Sequence, residues 1–374
     1  MVLLLFGPVW LSLGGALADP TLGSSASARV AEWSRDHGAG GLVTWLENLY
    51  YSHHPPPVGG QPSRNALPGH AHETLPTGSG TKTGALATPA SLVPFPATPL
   101  PGEGKWTPAG RLVDGVPAVY TTFMRPDAVH TSVVDGVAWM DTKLLAAKLY
   151  SGSYIPGGGP YRYNTPLSAK AGWSLVAAFN GGFRLGDSQA GYFTNGVMVK
   201  PLVVGAASFV IYSNGMATVG AWGSEVKMTP KVVAVRQELR LLVDNGRAAR
   251  GLATNEAAQW GNVIGNSLYV ARSGVGVTRN GALVYVGGPD LDAVDLAQLL
   301  VRAGAVRAME LDINPAWVNF ATFATSAHGL AELANAQDLL PAADMSGAYR
   351  YFVSYWERDF FTLSARAQTI RAAG

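Results

Sequence analysis

The sequence contains no cysteine, which excludes a disulfide framework, a thiol nucleophile and any cysteine-ligated metal in one step. Charge is scarce too: Asp, Glu, Lys and Arg make up 14% of the 374 residues, and the formal net charge is +2. No strong field is available to recruit nucleic acid or an acidic membrane surface, so the expected ligand is small and neutral to anionic. There is also no His-x-x-x-His pair, no Walker loop and no Gly-x-Ser-x-Gly elbow. Those absences remove the zinc hydrolases, nucleotide binders and serine esterases that such motifs mark. His130 and His328 stand without a recognisable metal-ligand spacing.

What is present can build a core, because 48% of residues are hydrophobic and the length suits one large domain or two ordinary ones. Residues 1–18 hold the uncharged run "VLLLFGPVWLSLGGALA", which ends in Ala16-Leu17-Ala18. A small-x-small ending of this kind predicts an export signal peptide or a membrane anchor, and hence a secreted or membrane-tethered, extracytoplasmic protein. Residues 19–51 have helical spacing on both sides of a Gly-rich break and predict a short helical segment. Residues 52–104, with "HHPPPVGG", "LPTGSGTKTG" and "PFPATPLPGEG", have a Pro/Gly/Ser-rich composition that predicts a disordered linker. His53, His54, His70 and His72 fall in that spacer, where clustered histidines are more often solvated than bound to metal.

Residues 105–374 are expected to form one catalytic-type domain. Asn-Gly recurs at Asn180, Asn195, Asn214, Asn245 and Asn280, and the last four sit between strand-like runs. Asn-Gly supplies the positive φ angles of a two-residue hairpin turn. The fold class that follows is α+β: a hairpin-rich mixed sheet, mainly antiparallel, with flanking helices. Residues 292–303 place Val294, Leu296, Leu299 and Leu300 on one stripe before Gly304, which predicts a helix capped by Asp290 or Asp292. The following strand, 306–313, then carries Glu310 and Asp312 near its C-terminal end, where ligands gather in α/β arrangements.

Three stretches could carry chemistry. In "LVAAFNGGFR" an apolar strand breaks at Asn180-Gly181-Gly182; glycines there would let backbone amides approach a ligand, and Asn180 offers a donor and an acceptor. In "YVARSGVGVT" Arg272, followed by Ser273, has the fork geometry for phosphate or carboxylate, or would pair with an acid of the same sheet such as Asp312. Arg236 in "VAVRQEL" is equally ambiguous. In "RAMELDINPAW", residues i and i+2 of a strand share a face about 6.6 Å apart. That separation lies within the range of about 5 to 9.5 Å between glycosidase carboxyl groups. Glu310 and Asp312 could therefore do acid/base work; with Asn314 they could instead offer hard oxygen ligands to Ca2+ or Mg2+. A third reading is a salt bridge of one acid to Arg272 or Arg307, the other acid meeting solvent.

Taken in order, "AFNGGF", the Asn-Gly hairpins, "ARSGVGVT", "GALVYVGG", a Leu/Ala-rich helix and "AGAVRAMELDI" resemble the phosphodiester glycosidase family over residues 120–323. The resemblance implies a hydrolase that acts on a sugar phosphodiester, or on a related glycan or sugar-phosphate substrate. It also implies an active-site turn at Asn180, Gly181 and Gly182, a phosphate-facing arginine at Arg272, and the family's aspartate at Asp312. The departure from the family pattern lies just beyond, where Ile313-Asn314-Pro315-Ala316 replaces glycines and serines. Pro315 has no amide hydrogen to donate to a phosphate. A non-catalytic glycan- or phosphate-binding module of the cell envelope is the competing expectation.

Overall fold

The computed structural model describes residues 7–19, 22, 25–67, 84–188, 190–254, 260, 269–324, 329–340, 347–353 and 358–366. His70, His72 and His328 lie outside them.

The Asn-Gly pairs do what their backbone preference dictates. Asn195 and Asn245 adopt positive φ and join Tyr192–Thr194 to Val197–Lys200 and Leu241–Asp244 to Arg247–Ala248. Asn214-Gly215 joins Ala207–Tyr212 to Ala217–Ala221, and Asn280-Gly281 joins Val270–Thr278 to Leu283–Leu291. Among the described residues every ladder between named strands is antiparallel.

Three sheets result. The largest has eight strands, with Asp135–Met140, Leu283–Leu291, Val270–Thr278 and Ala305–Glu310 at its centre. A five-stranded sheet is centred on Val232–Glu238, and another on Leu175–Asn180 between Phe320–Phe323 and Phe360–Ala365. Their inner faces meet in one core that includes Phe179, Phe209, Val275, Tyr285, Met309 and Phe361. Burial of such large side chains is the dominant favourable term, about 1.5–3 kcal/mol each.

The predicted helix forms as Ala293–Arg302, with the Asp292 side chain accepting from the Asp295 backbone N–H at its N-terminus. Gly304, at φ +92°, ends it, a conformation that costs glycine nothing. Leu296, Leu299 and Leu300 are fully buried against the second face of the eight-stranded sheet. That sheet therefore buries both faces, one on the main core and one under this helix. Which face a side chain takes decides whether it belongs to the site.

The N-terminal segment is helical at Gly7–Ala18, Ala26–Ser34 and Gly40–His53, with the break at Gly38, φ +86°. His53 and His54 thus close a helix, each ring facing a carbonyl one turn back. The expected spacer is laid onto the domain over residues 84–104. Leu92 is buried and its N–H donates to the Gly104 carbonyl, and Phe95 packs 3.7 Å under the Arg302 guanidinium. A Pro-rich chain needs few backbone partners, so a few anchoring side chains suffice to hold it.

Candidate active site

The site lies where strand ends of the three sheets converge. Asn180 ends Leu175–Asn180, and its amide is fully used: Nδ2 donates to Ser273 Oγ at 3.0 Å, and Oδ1 accepts from Tyr285 OH at 2.9 Å and from the Asn319 N–H at 3.1 Å. The Ser273 N–H donates to the Asp312 carbonyl at 2.9 Å, and Ser273 Oγ accepts from the Asp312 N–H at 3.3 Å. Asn180, Ser273 and Asp312 are therefore brought together as the sequence suggested. The two polar side chains act as clamps on the backbone of the acid-bearing loop.

Arg272 and Glu310 do not join them. Residues alternate across a strand, so while Ser273 faces the main core, Arg272 faces the helix Ala293–Arg302. There its Nη1 donates to Glu310 Oε1 at 2.5 Å and to the Trp260 carbonyl, and its Nε donates to the Leu291 carbonyl. Both side chains are 1% exposed. The expectation that Glu310 and Asp312 form one acid pair fails for a geometric reason: the strand ends at Glu310, and the period-two rule lapses there. Beyond it the chain turns, and Asp312 Oδ1 caps its own loop by accepting from the Asn314 N–H at 3.0 Å.

Asn314 continues this turn chemistry: its Oδ1 accepts from the Ala316 N–H, while its Nδ2 donates to Glu32 Oε1 at 3.4 Å. Glu310, Asp312 and Asn314 consequently do not converge as an oxygen-ligand set. Among the described residues no group of three or more His, Cys, Asp or Glu side chains is placed to hold a metal ion. His130 is paired with Asp127 at 2.7 Å and rests against Tyr269.

The Asn-Gly-Gly turn also has a different cause from the expected one. Neither glycine has positive φ. A Cβ on Gly181 would lie 2.6 Å from Asp359, and one on Gly182 would lie 1.7 Å from Glu238 Oε1. The glycines make room for two buried acids. Glu238 ends the strand Val232–Glu238 and Asp359 precedes Phe360–Ala365. Both acids are absent from the sequence reading, and only the placement of the strand ends reveals them.

Arg236 lies between these acids. Its Nε donates to Asp359 Oδ2 at 2.8 Å, Nη2 to the Phe183 carbonyl at 2.5 Å, and Nη1 to the Gln237 carbonyl at 2.9 Å. Nη1 is also 2.7 Å from Glu238 Oε1, a charge contact without hydrogen-bond geometry, and neither Glu238 oxygen accepts a hydrogen bond among the described residues. One guanidinium cannot neutralise two buried carboxylates. Burial, only partly offset by Arg236, combines with the charges of Asp359, Asp312 and Glu310 to push the Glu238 carboxyl well above its usual range. Its neutral, protonated form is thereby favoured.

Asp312 is 4% exposed, and burial raises its pKa to about 7 against the pull of Arg358 and the Asn314 N–H. Arg358 rests 4.4 Å over the Trp317 ring, a cation–π contact of about 0.5–2 kcal/mol. The motif that holds Asp312 thereby also seats the arginine opposite it.

A fourth carboxylate comes from outside the sheets. Glu32, on the helix Ala26–Ser34, is 1% exposed. Its Oε2 lies 2.5 Å from Arg184 Nη2 and 3.5 Å from Arg358 Nη2, and its Oε1 lies 2.8 Å from Arg35 Nη1. Arg184 also binds Asp36 at 2.6 Å. Burial alone would raise the pKa of Glu32, but Arg358, Arg184 and Arg35 together bring it below the usual value. The site thus already holds an anion, a carboxylate supplied by the chain itself. Arg184 stands one residue beyond the "AFNGGF" motif, and nothing in its local pattern distinguishes it from Arg272.

Three solved structures were compared with this fold. A zebrafish N-acetylglucosamine-1-phosphodiester alpha-N-acetylglucosaminidase catalytic domain, auto-inhibited by pro-peptide, is 15% identical over 71% of this chain and 88% of its own, with a TM-score of 0.44. A hypothetical protein from Synechocystis is 10% identical over 63% and 59%, with a TM-score of 0.33. A putative exported protein from Burkholderia pseudomallei is 12% identical over 62% and 74%, with a TM-score of 0.26. Likenesses this distant carry no residue roles. No curated protein matches the chain in sequence. The resemblance read from the motifs is met independently: residues 174–312, which include Asn180, Arg184, Arg236, Glu238, Ser273 and Asp312, match the phosphodiester glycosidase family.

Proposed function

We propose that this chain is an exported hydrolase that cleaves a glycosidic bond next to a phosphodiester in an envelope or extracellular glycan. The family match supports a hydrolase of the phosphodiester glycosidase type. The observation that carries the finer reading is the capture of the Glu32 carboxylate by Arg184 and Arg358 beside Asp312. A carboxylate and a phosphodiester both present two oxygens sharing one negative charge, and guanidinium forks bind either one. Glu32 thus occupies the position of the substrate phosphate, and the N-terminal helices cover the site.

The roles follow from protonation. Asp312, partly ionised near neutral pH, accepts a proton from the water whose oxygen bonds to the anomeric carbon. Protonated Glu238 donates to the departing phosphate oxygen as the carbon–oxygen bond breaks. Free sugar and a phosphate monoester leave, and the two acids have exchanged protonation states, to be restored through solvent. Arg184 and Arg358 stabilise the charge on the phosphate. Asn180 and Ser273 position Asp312 through its backbone. Glu310 and Arg272, on the far face, are structural.

Release of sugar from a sugar-1-phosphodiester tests this reading, with Glu32→Gln assayed alongside the parent chain so that a covered site is not mistaken for an inactive one. Asp312→Asn placed in each background should cut turnover about 10²–10⁴-fold with inorganic phosphate affinity unchanged. Phosphate or glycan binding without sugar release in any of these backgrounds would establish the binding-module alternative.

A further inference from the structure

The N-terminal helices are docked the wrong way round for a soluble layer. On Gly40–His53, Leu42, Trp45, Leu46 and Leu49 recur at i, i+3, i+4 and i+7, the spacing of a buried stripe. In the structure this stripe faces solvent: Leu42 is 59% and Trp45 51% exposed. On Gly7–Ala18, Trp10 is 62% and Leu11 80% exposed. Among the described residues, ten of the twenty-one exposed large hydrophobic side chains lie within residues 9–50. The side chains that tie these helices to the domain are instead charged, with Glu32 and Asp36 held by Arg184 and Arg358. Exposed apolar side chains this rich in Trp and Leu call for a cover.

We propose that the cover is the surface of a lipid bilayer built from neutral, zwitterionic headgroups, on which the helices lie flat. The helix Gly7–Ala18 has 12 residues and no charge. At 1.5 Å per residue its described length is about 18 Å, against a hydrocarbon core of about 30 Å. Consistently, no helix among the described residues is long and apolar enough to cross a membrane. Two exposed tryptophans suit the headgroup boundary, where indole rings concentrate. Charge selects the lipid: residues 7–53 carry Arg29 and Arg35 against Asp19, Glu32, Asp36 and Glu47, a net charge of 2 − 4 = −2. A basic surface-binding helix would prefer anionic lipid; this layer has no such attraction. The Leu42–Leu49 stripe lies beyond residue 18, so the surface persists with or without the apolar leader. The ion pairs at Glu32 would bring the site down with the helices, next to glycans anchored at a membrane.

Flotation of the full chain with phosphatidylcholine vesicles tests the proposal independently of turnover, so its failure leaves the hydrolase reading intact. The chain should float with the vesicles and its tryptophan emission should shift to the blue, with no gain from added phosphatidylglycerol. A Leu42→Glu/Leu46→Glu variant, altered only at exposed positions and checked by its melting transition, should lose flotation at least tenfold. Val204→Glu, at another exposed apolar position, should float like the parent. Absence of flotation, equal flotation of the double variant, or dependence on anionic lipid overturns the proposal. So does a concentration-dependent dimer that the double variant breaks without any vesicle binding.

Discussion

Two arginine–carboxylate clusters lie close together in this molecule, and their chemistry on paper is the same. In one, Arg272 and Glu310 occupy adjacent strands of a single sheet; the arginine's donors are shared between the acid and two carbonyls. In the other, Arg184 and Arg358 hold Glu32, which belongs to a helix outside the sheets. Arg272, Glu310, Arg358 and Glu32 are buried and Arg184 is only slightly exposed, so burial does not separate the clusters. The origin of the partner does. A carboxylate fixed in the same sheet cannot leave without unfolding it, whereas a carboxylate on a docked helix can be exchanged for a ligand.

That contrast can be broken most forcefully at Arg272. Arg272→Ala strands the Glu310 carboxylate under the helix and should cost about 3–5 kcal/mol of stability, read as a lowered midpoint in denaturant unfolding. Glu32→Gln, its counterpart, should cost only about 1 kcal/mol, because the freed arginines regain water when the helices lift. Equal losses would show that the N-terminal helices are as integral as the sheet.

Acidity sharpens the comparison at Asp312. Its folded pKa is raised from 3.8 to about 7, so the folded state binds the proton more tightly than the unfolded chain does. The corresponding stability is fully present below about pH 4 and is lost as pH rises to about 7. At about 1.4 kcal/mol per unit the change is at most ~4 kcal/mol. Urea unfolding from pH 4 to 8 should show this decline in the parent and a shallower one in Asp312→Asn. Identical slopes would place Asp312 in contact with water.

A local test of the same comparison concerns Gly182. Gly182→Ala drives a methyl group toward Glu238 Oε1, an overpacking worth about 1–3 kcal/mol, and should reduce sugar release more than its stability loss explains. A fully active variant would mean that Glu238 has room to move and that its place in the site is not fixed.

Much of the scaffold was legible because its signals are local. The positive φ of Asn195 and Asn245 and the Asp292 cap each depend on residues within a few positions. Part of the site was legible for a related reason, since Asn180, Ser273 and Asp312 lie in motifs whose order could be recognised. The rest was not. Gly181 and Gly182 announced a close approach without saying to what, and the answer, Asp359 and Glu238, comes from two other strands. Arg272 and Arg184 are both arginines beside glycine-containing motifs, and no local feature ranks one above the other.

The amino-acid sequence by itself determined the hairpins, the amphipathic helix Ala293–Arg302, the absence of thiol chemistry and the loop that carries Asp312, because short-range backbone preferences and residue types settle those. Only the tertiary structure decided that Arg272 and Glu310 face a helix while Ser273 faces the site, and that Glu32 enters the arginine cluster. A strand's alternation fixes which residues share a face. Which of the two faces borders the site depends on pairings and packing between segments far apart in the chain.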